Sequence, residues 1–299
     1  MAGLPPGAPP GGLPRIPAAR PPLREALVLL PRILTALVGI PLVLALIHLG
    51  GVPYLVFCAL LAALCAHEYA LVLWAGGRGV HRALLPLLSG LLALAVGLSG
   101  PVASDAPAPG VGLNHFMVSV VVLAALLREV LRKEHSLDRA ALTVMGTLFI
   151  GWPLGHLVLL RELAHGELLS YHLFAAVWAC DTAAYAVGSA LGRRKIAPVL
   201  SPKKSWEGAV AGFLAAVGVL WAGRKLLLSE AMTPALALAL GALVGTLGQA
   251  SDIAQSLVKR ASGVKDSGSL LPGHGGLFDR LDSLLLLVPA FYYLVVLFD

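Results

Sequence analysis

Residues 256–282 (SLVKRASGVKDSGSLLPGHGGLFDRLD) crowd three aspartates, four basic residues, a histidine and five glycines between two long apolar runs. Carboxylate and phosphate oxygens are the ligands Mg²⁺ prefers, and Lys and Arg neutralise the phosphates themselves. The chemistry such a set supports is positioning and charge compensation for phosphate-bearing substrates. Asp252 precedes Asp266 by 14 residues, so a helix end and the loop after it can bring two carboxylates onto one hard cation. Asp252 and Asp266 are the expected metal-binding acids, and Mg²⁺ is the expected ion, with one bound cation or two left open.

The neighbours of these acids extend the set. Ser256 follows Asp252 by one helical turn, and Lys259, Arg260 and Lys265 are expected to bind phosphates. In PGHGG, Gly273, Gly275 and Gly276 allow positive φ and close backbone approach to an anion. His274 is placed to donate to a phosphate or a leaving group, an ordinary loop histidine being the plain alternative. Asp279, Arg280 and Asp282 lead into the last apolar run, where Arg280 can pair with an aspartate or a phosphate. The run is neither a Walker A loop nor a dinucleotide fingerprint.

Two upstream segments carry related signals. In SPKKSWEG, Ser201, Lys203, Lys204 and Ser205 offer hydroxyls, ammonium groups and helix-start amides. The segment is either a phosphate cradle or a basic loop facing lipid headgroups. Asp181, in ACDTAAYAVG, lies within an apolar stretch, where a carboxylate costs roughly 2.5 to 3.5 kcal/mol at a helix centre. It is expected either to bind metal or polar substrate or to bond to neighbouring hydroxyls. Glu68, in AHEYA, is read as a structural acid.

The elements that must hold these groups are membrane helices. Hydrophobic residues make up 58% of the 299 and charged residues 13%, too little polar surface to cover a soluble protein of this size. Apolar stretches near the length of a bilayer span recur at 33–50, 52–75, 83–99, 113–131, 140–160, 168–191, 208–228, 234–258 and 283–298. The fold class expected is all-α, a polytopic helical bundle of about nine transmembrane helices. Residues 1–24, rich in Pro and Gly and without the apolar core of a signal peptide, read as a disordered tail, and 25–299 as one membrane-embedded domain.

Charge sets the orientation. With these spans, 19 of the 22 Lys and Arg fall on one side, and only Arg161, Arg224 and Lys225 on the other. The basic side is read as cytoplasmic, which puts residues 192–208 and 259–282 at the inner face of the cell membrane. The net charge of +6 thus reports topology and attraction for lipid headgroups and phosphates rather than for nucleic acid. Cys58, Cys65 and Cys180 sit in apolar segments with no metal-ligand spacing and are expected to pack. In Gly241, Gly245 and Gly248 a small-residue stripe runs along the helix toward Asp252, so a neighbouring helix is expected to pack closely there.

Taken in order, Ser256, Lys259-Arg260, Lys265-Asp266, Pro272, His274-Gly275-Gly276, Asp279-Arg280 and Asp282 resemble the signature of the phosphatidate cytidylyltransferases, also called CDP-diglyceride synthases. GQASDIAQSLVKR, CDTAAYAVG and SPKKSWEG resemble segments of the same family, with Gln255 where the family commonly has Glu. The resemblance implies a Mg²⁺-dependent membrane enzyme, reported as a homodimer, that makes CDP-diacylglycerol and pyrophosphate from CTP and phosphatidate. It implies Asp252, Asp266, Lys265 and His274 as catalytic residues and the remaining polar residues of the motifs as substrate contacts. A CTP-dependent enzyme of isoprenoid lipids, such as a CDP-archaeol synthase, and a membrane transporter are the alternatives. A transport site is expected near the midplane, whereas this one is carried by loops on the basic side.

Overall fold

The computed structural model describes residues 22–100, 110–229, 232–268, 270 and 275–298. Leu- and Ala-rich segments of this kind become helices because lipid offers no partner to a backbone N–H or C=O, so each span must satisfy its own. The described helices are α1 (Pro22–Leu49), α2 (Gly51–Ala75), α3 (Leu84–Gly97), α4 (Gly110–Val130), α5 (Leu137–Glu162), α6 (Gly166–Leu191), α7 (Trp206–Leu227), α8 (Pro234–Leu243), α9 (Gln249–Ala261) and α10 (Leu287–Phe298). A π-helical turn, Val244–Gly248, joins α8 to α9 into one span. Each of the nine expected spans has its helix. The first begins earlier than expected, at Pro22. The last begins later, at Leu287, because turns occupy 281–286.

Helix boundaries follow local chemistry. Ser136 caps α5 by accepting from Arg139 N at 3.2 Å, and Thr233 caps α8 by accepting from Leu236 N at 3.1 Å, with Pro234 at the first helical position. Gly50 (φ 60°) and Gly51 (φ 49°) reverse the chain between α1 and α2 in a conformation open mainly to glycine. Six of the spans are long and apolar enough to cross a bilayer, while α3 and α10 are shorter apolar helices.

Helices α2, α3 and α5 pack together, α6 lies along α7, and α8 packs against α7, with α10 touching both α5 and α8. Tyr54, Tyr69, Leu154, Leu173, Leu220 and Phe291 are fully buried between them, whereas Leu60, Leu123 and Leu214 point outward toward lipid. All three cysteines are free and buried, as expected of packing residues. The small-residue stripe packs closely at two of its three glycines: a Cβ on Gly241 would lie 2.6 Å from Val217 Cα, and one on Gly245 2.6 Å from Phe213 Cα, whereas one on Gly248 would meet its nearest neighbours at 3.6 Å. Backbone cannot yield as a side chain does, so Gly241→Val is expected to destabilise the protein by about 1 to 3 kcal/mol. Thermal unfolding in detergent checks this.

The one sheet among the described residues is an antiparallel hairpin of β1 (Lys195–Ala197) and β2 (Ser201–Ser205) between α6 and α7. Residues 1–21 of the expected tail lie outside the described residues.

Candidate functional site

Three carboxylates converge at one end of the bundle. Asp181 comes from α6, Asp252 from the first turn of α9, and Asp282 from the turns that lead into α10. Ser283 bridges two of them: its Oγ lies 3.3 and 3.4 Å from the Asp181 oxygens, and its backbone N donates to Asp282 Oδ1 at 2.8 Å. Ser256 Oγ stands 3.5 Å from Asp252 Oδ1. Ser251 Oγ donates to the Asp282 carbonyl and accepts from Leu286 N at 3.1 Å, fastening α9 to the start of the last span.

One cation enters this cluster. Lys204 Nζ lies 2.7 Å from Asp252 Oδ2 and donates to the Gln249 carbonyl at 3.2 Å. SPKKS is a strand rather than a loop, and on it Lys204 is half-buried while Lys203 is exposed. Ser201 pairs with Ala197 across the hairpin. Ser205 serves as the N-cap of α7, its Oγ accepting from Gly208 N at 3.2 Å, so the expected hydroxyl of the phosphate cradle already has a backbone partner.

Burial, with Asp252 and then Asp181 close by, pushes Asp282 up to about 7. Like charges held together in a partly desolvated place make a second negative charge costly.

A second cluster fixes the loop that precedes Asp282. Lys259 Nζ is 2.6 Å from Asp279 Oδ1, and Asp279 Oδ2 accepts from Ser267 N at 2.8 Å and lies 3.0 Å from Ser267 Oγ. Burial works to raise Asp279, but Lys259 and the Ser267 N–H win and hold it below the ordinary carboxylate range. Beneath them, buried Glu68 accepts from Phe278 N at 2.8 Å and lies 3.2 Å from Ser267 Oγ. Gln255, fully buried, donates to the Phe278 carbonyl. A Cβ on Gly276 would lie 1.9 Å from Ser267 Oγ and 2.6 Å from Glu68 Oε2, so only glycine fits, and Gly275 has φ 82°. Arg260 donates to the Leu200 carbonyl at 3.2 Å and the Val264 carbonyl at 3.3 Å, tying α9 to the hairpin turn.

The structure thus brings Asp181, Lys204, Asp252, Ser256 and Asp282 together, with Lys259, Asp279 and Gly276 in the adjoining cluster. Lys203, Lys265, Asp266 and Arg280 are exposed, and their side chains make no hydrogen bond or ion pair among the described residues. Gly273 and His274 lie outside the described residues. The charges felt by Asp282 are those of Asp252, Asp181 and Lys259, and Asp266 is not among them. Sequence reasoning did not single out Ser251 or Ser283 for the cluster; their only signal was a hydroxyl next to an aspartate.

Comparisons with known proteins agree with this picture. Residues 30–298 match the Cytidylyltransferase family. The chain is 32% identical over 295 residues to a phosphatidate cytidylyltransferase of Synechocystis, covering 89% of this chain and 96% of that protein. It is 29% identical over 270 residues to the Bacillus subtilis phosphatidate cytidylyltransferase, covering 90% of this chain and 98% of that protein. A Haemophilus influenzae phosphatidate cytidylyltransferase is 42% identical over 135 residues, covering 43% and 46% of the two chains. With a match that runs almost from end to end, the chain belongs to the cytidylyltransferase family.

Proposed function

We propose that this protein is a phosphatidate cytidylyltransferase, joining CTP and phosphatidate into CDP-diacylglycerol and pyrophosphate at the cytoplasmic face of the membrane. The observation that carries the reading is the convergence of Asp181, Asp252 and Asp282 with Lys204 at the end of the bundle that adjoins the basic hairpin. The family match and the named relatives support the reaction class, and the strong Lys and Arg bias supports the cytoplasmic placement. A homodimer and contacts with membrane lipids belong to the same proposal.

Among the described residues no three His, Cys, Asp or Glu side chains cage an ion by themselves. Mg²⁺ commonly takes one or two carboxylates and completes its shell with substrate phosphates and water. Asp252 and Asp282 offer carboxylate oxygens from the first turn of α9 and the turns before α10, the hard donors a divalent cation takes. Asp252 and Asp282 are the residues proposed to hold it; Asp266, its expected second ligand, would act from the exposed loop. Bound there, Mg²⁺ would offset the repulsion between the two anionic substrates.

In the proposed reaction a phosphatidate phosphate oxygen attacks the α-phosphorus of CTP, the bond from that phosphorus to the bridging oxygen breaks, and pyrophosphate leaves with the electron pair. The chain's own residues position and neutralise. Lys204, held by Asp252 and the Gln249 carbonyl, presents an ammonium group at the carboxylates, while exposed Lys203, Lys265 and Arg280 are free to meet phosphates arriving from water. Arg260 keeps the hairpin beside α9, and the Glu68–Ser267–Asp279–Lys259 network packs against Gly276. His274 remains proposed as a donor to the leaving group.

The test is transfer of label from CTP carrying ³²P at its α-phosphorus into a chloroform-soluble product by purified protein in micelles. Transfer that requires both phosphatidate and Mg²⁺ is expected; a protein that moves no label with both present, across the useful pH range, is not this enzyme.

Asp282 also predicts a pH dependence. Its carboxyl holds a proton in the folded protein up to about 7, well above the ordinary aspartate value of 3.8. Between these values the folded state binds more protons than the unfolded one, so the contribution of Asp282 to stability falls as pH rises from about 4 to 7. Thermal unfolding in EDTA is expected to show this decline, and Asp282→Asn to flatten it.

A further inference from the structure

A second charged recess lies apart from the carboxylate cluster. A cavity of about 300 Å³ opens between the α2–α3 connection and the α4–α5 connection, lined by Trp74, His81, Arg82, Arg128, Arg132 and Arg139 among others. Its floor is built. Glu129 is buried and takes the Arg139 guanidinium through both oxygens, Nη2 lying 2.9 Å from Oε2. The same carboxylate accepts from Ser136 N at 2.8 Å and lies 3.0 Å from His81 Nε2. His81 N in turn donates to Thr143 Oγ1 at 3.0 Å. The one buried acid at the site is therefore fully used by the floor.

The walls are left cationic. Among the described residues the guanidiniums of Arg128 and Arg132 make no hydrogen bond or ion pair, and that of Arg82 makes only a stacking contact, 4.8 Å from the centre of the Trp74 ring. Three guanidiniums held around one recess without an acid to answer them repel each other and call for an anion. Guanidinium forks match phosphate oxygens in pairs.

Position chooses the source of that phosphate. The recess joins the C-terminal ends of α2 and α4 to the N-terminal ends of α3 and α5, all on the side that carries the Lys and Arg excess. Next to it Leu87 on α3, and Leu127, Val130 and Leu131 at the end of α4, are exposed apolar residues, and exposed Trp74 stands at the rim. A tryptophan with arginines at the end of apolar helices is the arrangement expected at a headgroup boundary. A ligand with a phosphate above and acyl chains below would satisfy both surfaces; free phosphate would satisfy only one.

We propose that this arginine-lined recess is an accessory site for the phosphate headgroup of an anionic phospholipid, separate from the site of cytidylyl transfer. No residue lining it contacts Asp181, Asp252 or Asp282. Its connecting loop nonetheless braces the helix that carries Asp252: Arg78 donates to the Ala261 carbonyl at 3.2 Å, and a Cβ on Gly76 would lie 2.5 Å from Ser262 Cα. The occupied recess would hold that loop, and through it the end of α9, at the headgroup level.

The test compares the full chain with the triple variant Arg82→Gln, Arg128→Gln, Arg132→Gln, each in detergent with phosphatidylglycerol, phosphatidylcholine or inorganic phosphate, by native mass spectrometry. The wild type is expected to retain one phosphatidylglycerol in preference to phosphatidylcholine, and the triple variant to lose that preference by roughly tenfold or more. Millimolar inorganic phosphate is expected not to displace the lipid. Equal retention by the two proteins, or ready displacement by inorganic phosphate, would overturn the assignment. Glu129 and Arg139 are left in place so that the floor stays folded, and an unchanged unfolding temperature of the variant is the control. The readout is binding, so it stands or falls independently of the proposed transfer reaction.

Discussion

Asp252→Asn is expected to lower the rate of cytidylyl transfer by about a hundred- to a thousandfold, the range seen when one preorganised electrostatic group is removed from an active site. The neutral amide keeps the shape of the side chain and the Lys204 ammonium retains its bond to the Gln249 carbonyl, so the hairpin should stay docked. What disappears is the charge between Asp181 and Asp282. Two measurable consequences accompany the loss of rate. More Mg²⁺ should be needed for half-maximal activity, and Asp282, relieved of a negative neighbour, should titrate lower, shifting the decline of stability with pH toward acid. A variant with wild-type rate and wild-type Mg²⁺ dependence would remove Asp252 from the site.

Asp279→Ala is expected to destabilise the protein by about 3 to 5 kcal/mol, because it leaves the buried Lys259 ammonium without its partner. The pair is well shielded, with the side chains 11% and 9% exposed at a separation of 2.6 Å. Asp279 also takes the Ser267 N–H, so the loop from 264 to 268 loses its fastening to the turn at 278–280. Chemical unfolding in micelles measures the first effect. Faster proteolysis within 264–276 measures the second. Replacing Lys259 by Met together with Asp279→Ala should recover part of the stability, since the stranded charge is gone, but not the activity.

Much of this was legible in the sequence because membrane helices announce themselves. The apolar runs, their Lys and Arg bias and the glycines at 241 and 245 follow from solvent and sterics alone, and the helices lie where those rules put them. The family signature at 256–282 was equally open to reading, since its residue types and spacing are distinctive. The partnerships within the site were hidden. Nothing in the order of residues says that Asp282 from one end of the loop and Asp181, some hundred residues upstream, meet through Ser283. Nor does it say that SPKKS turns into a strand that brings Lys204 to Asp252 and leaves Lys203 exposed. Glu68 was readable as a structural acid, but its duty of holding the Phe278 and Ser267 end of the loop is set by a contact across some two hundred residues. Such pairings are decided by tertiary packing, which periodicity does not encode.

The central claim is that Asp252 and Asp282 together hold a divalent cation at the point where nucleotide and lipid phosphates meet. The most direct measurement is anomalous scattering from crystals of the protein grown with Mn²⁺ and CTP. The account predicts an anomalous peak within bonding distance of both Asp252 and Asp282, lost in Asp252→Asn. A peak bound elsewhere, with these two carboxylates bare, would contradict it.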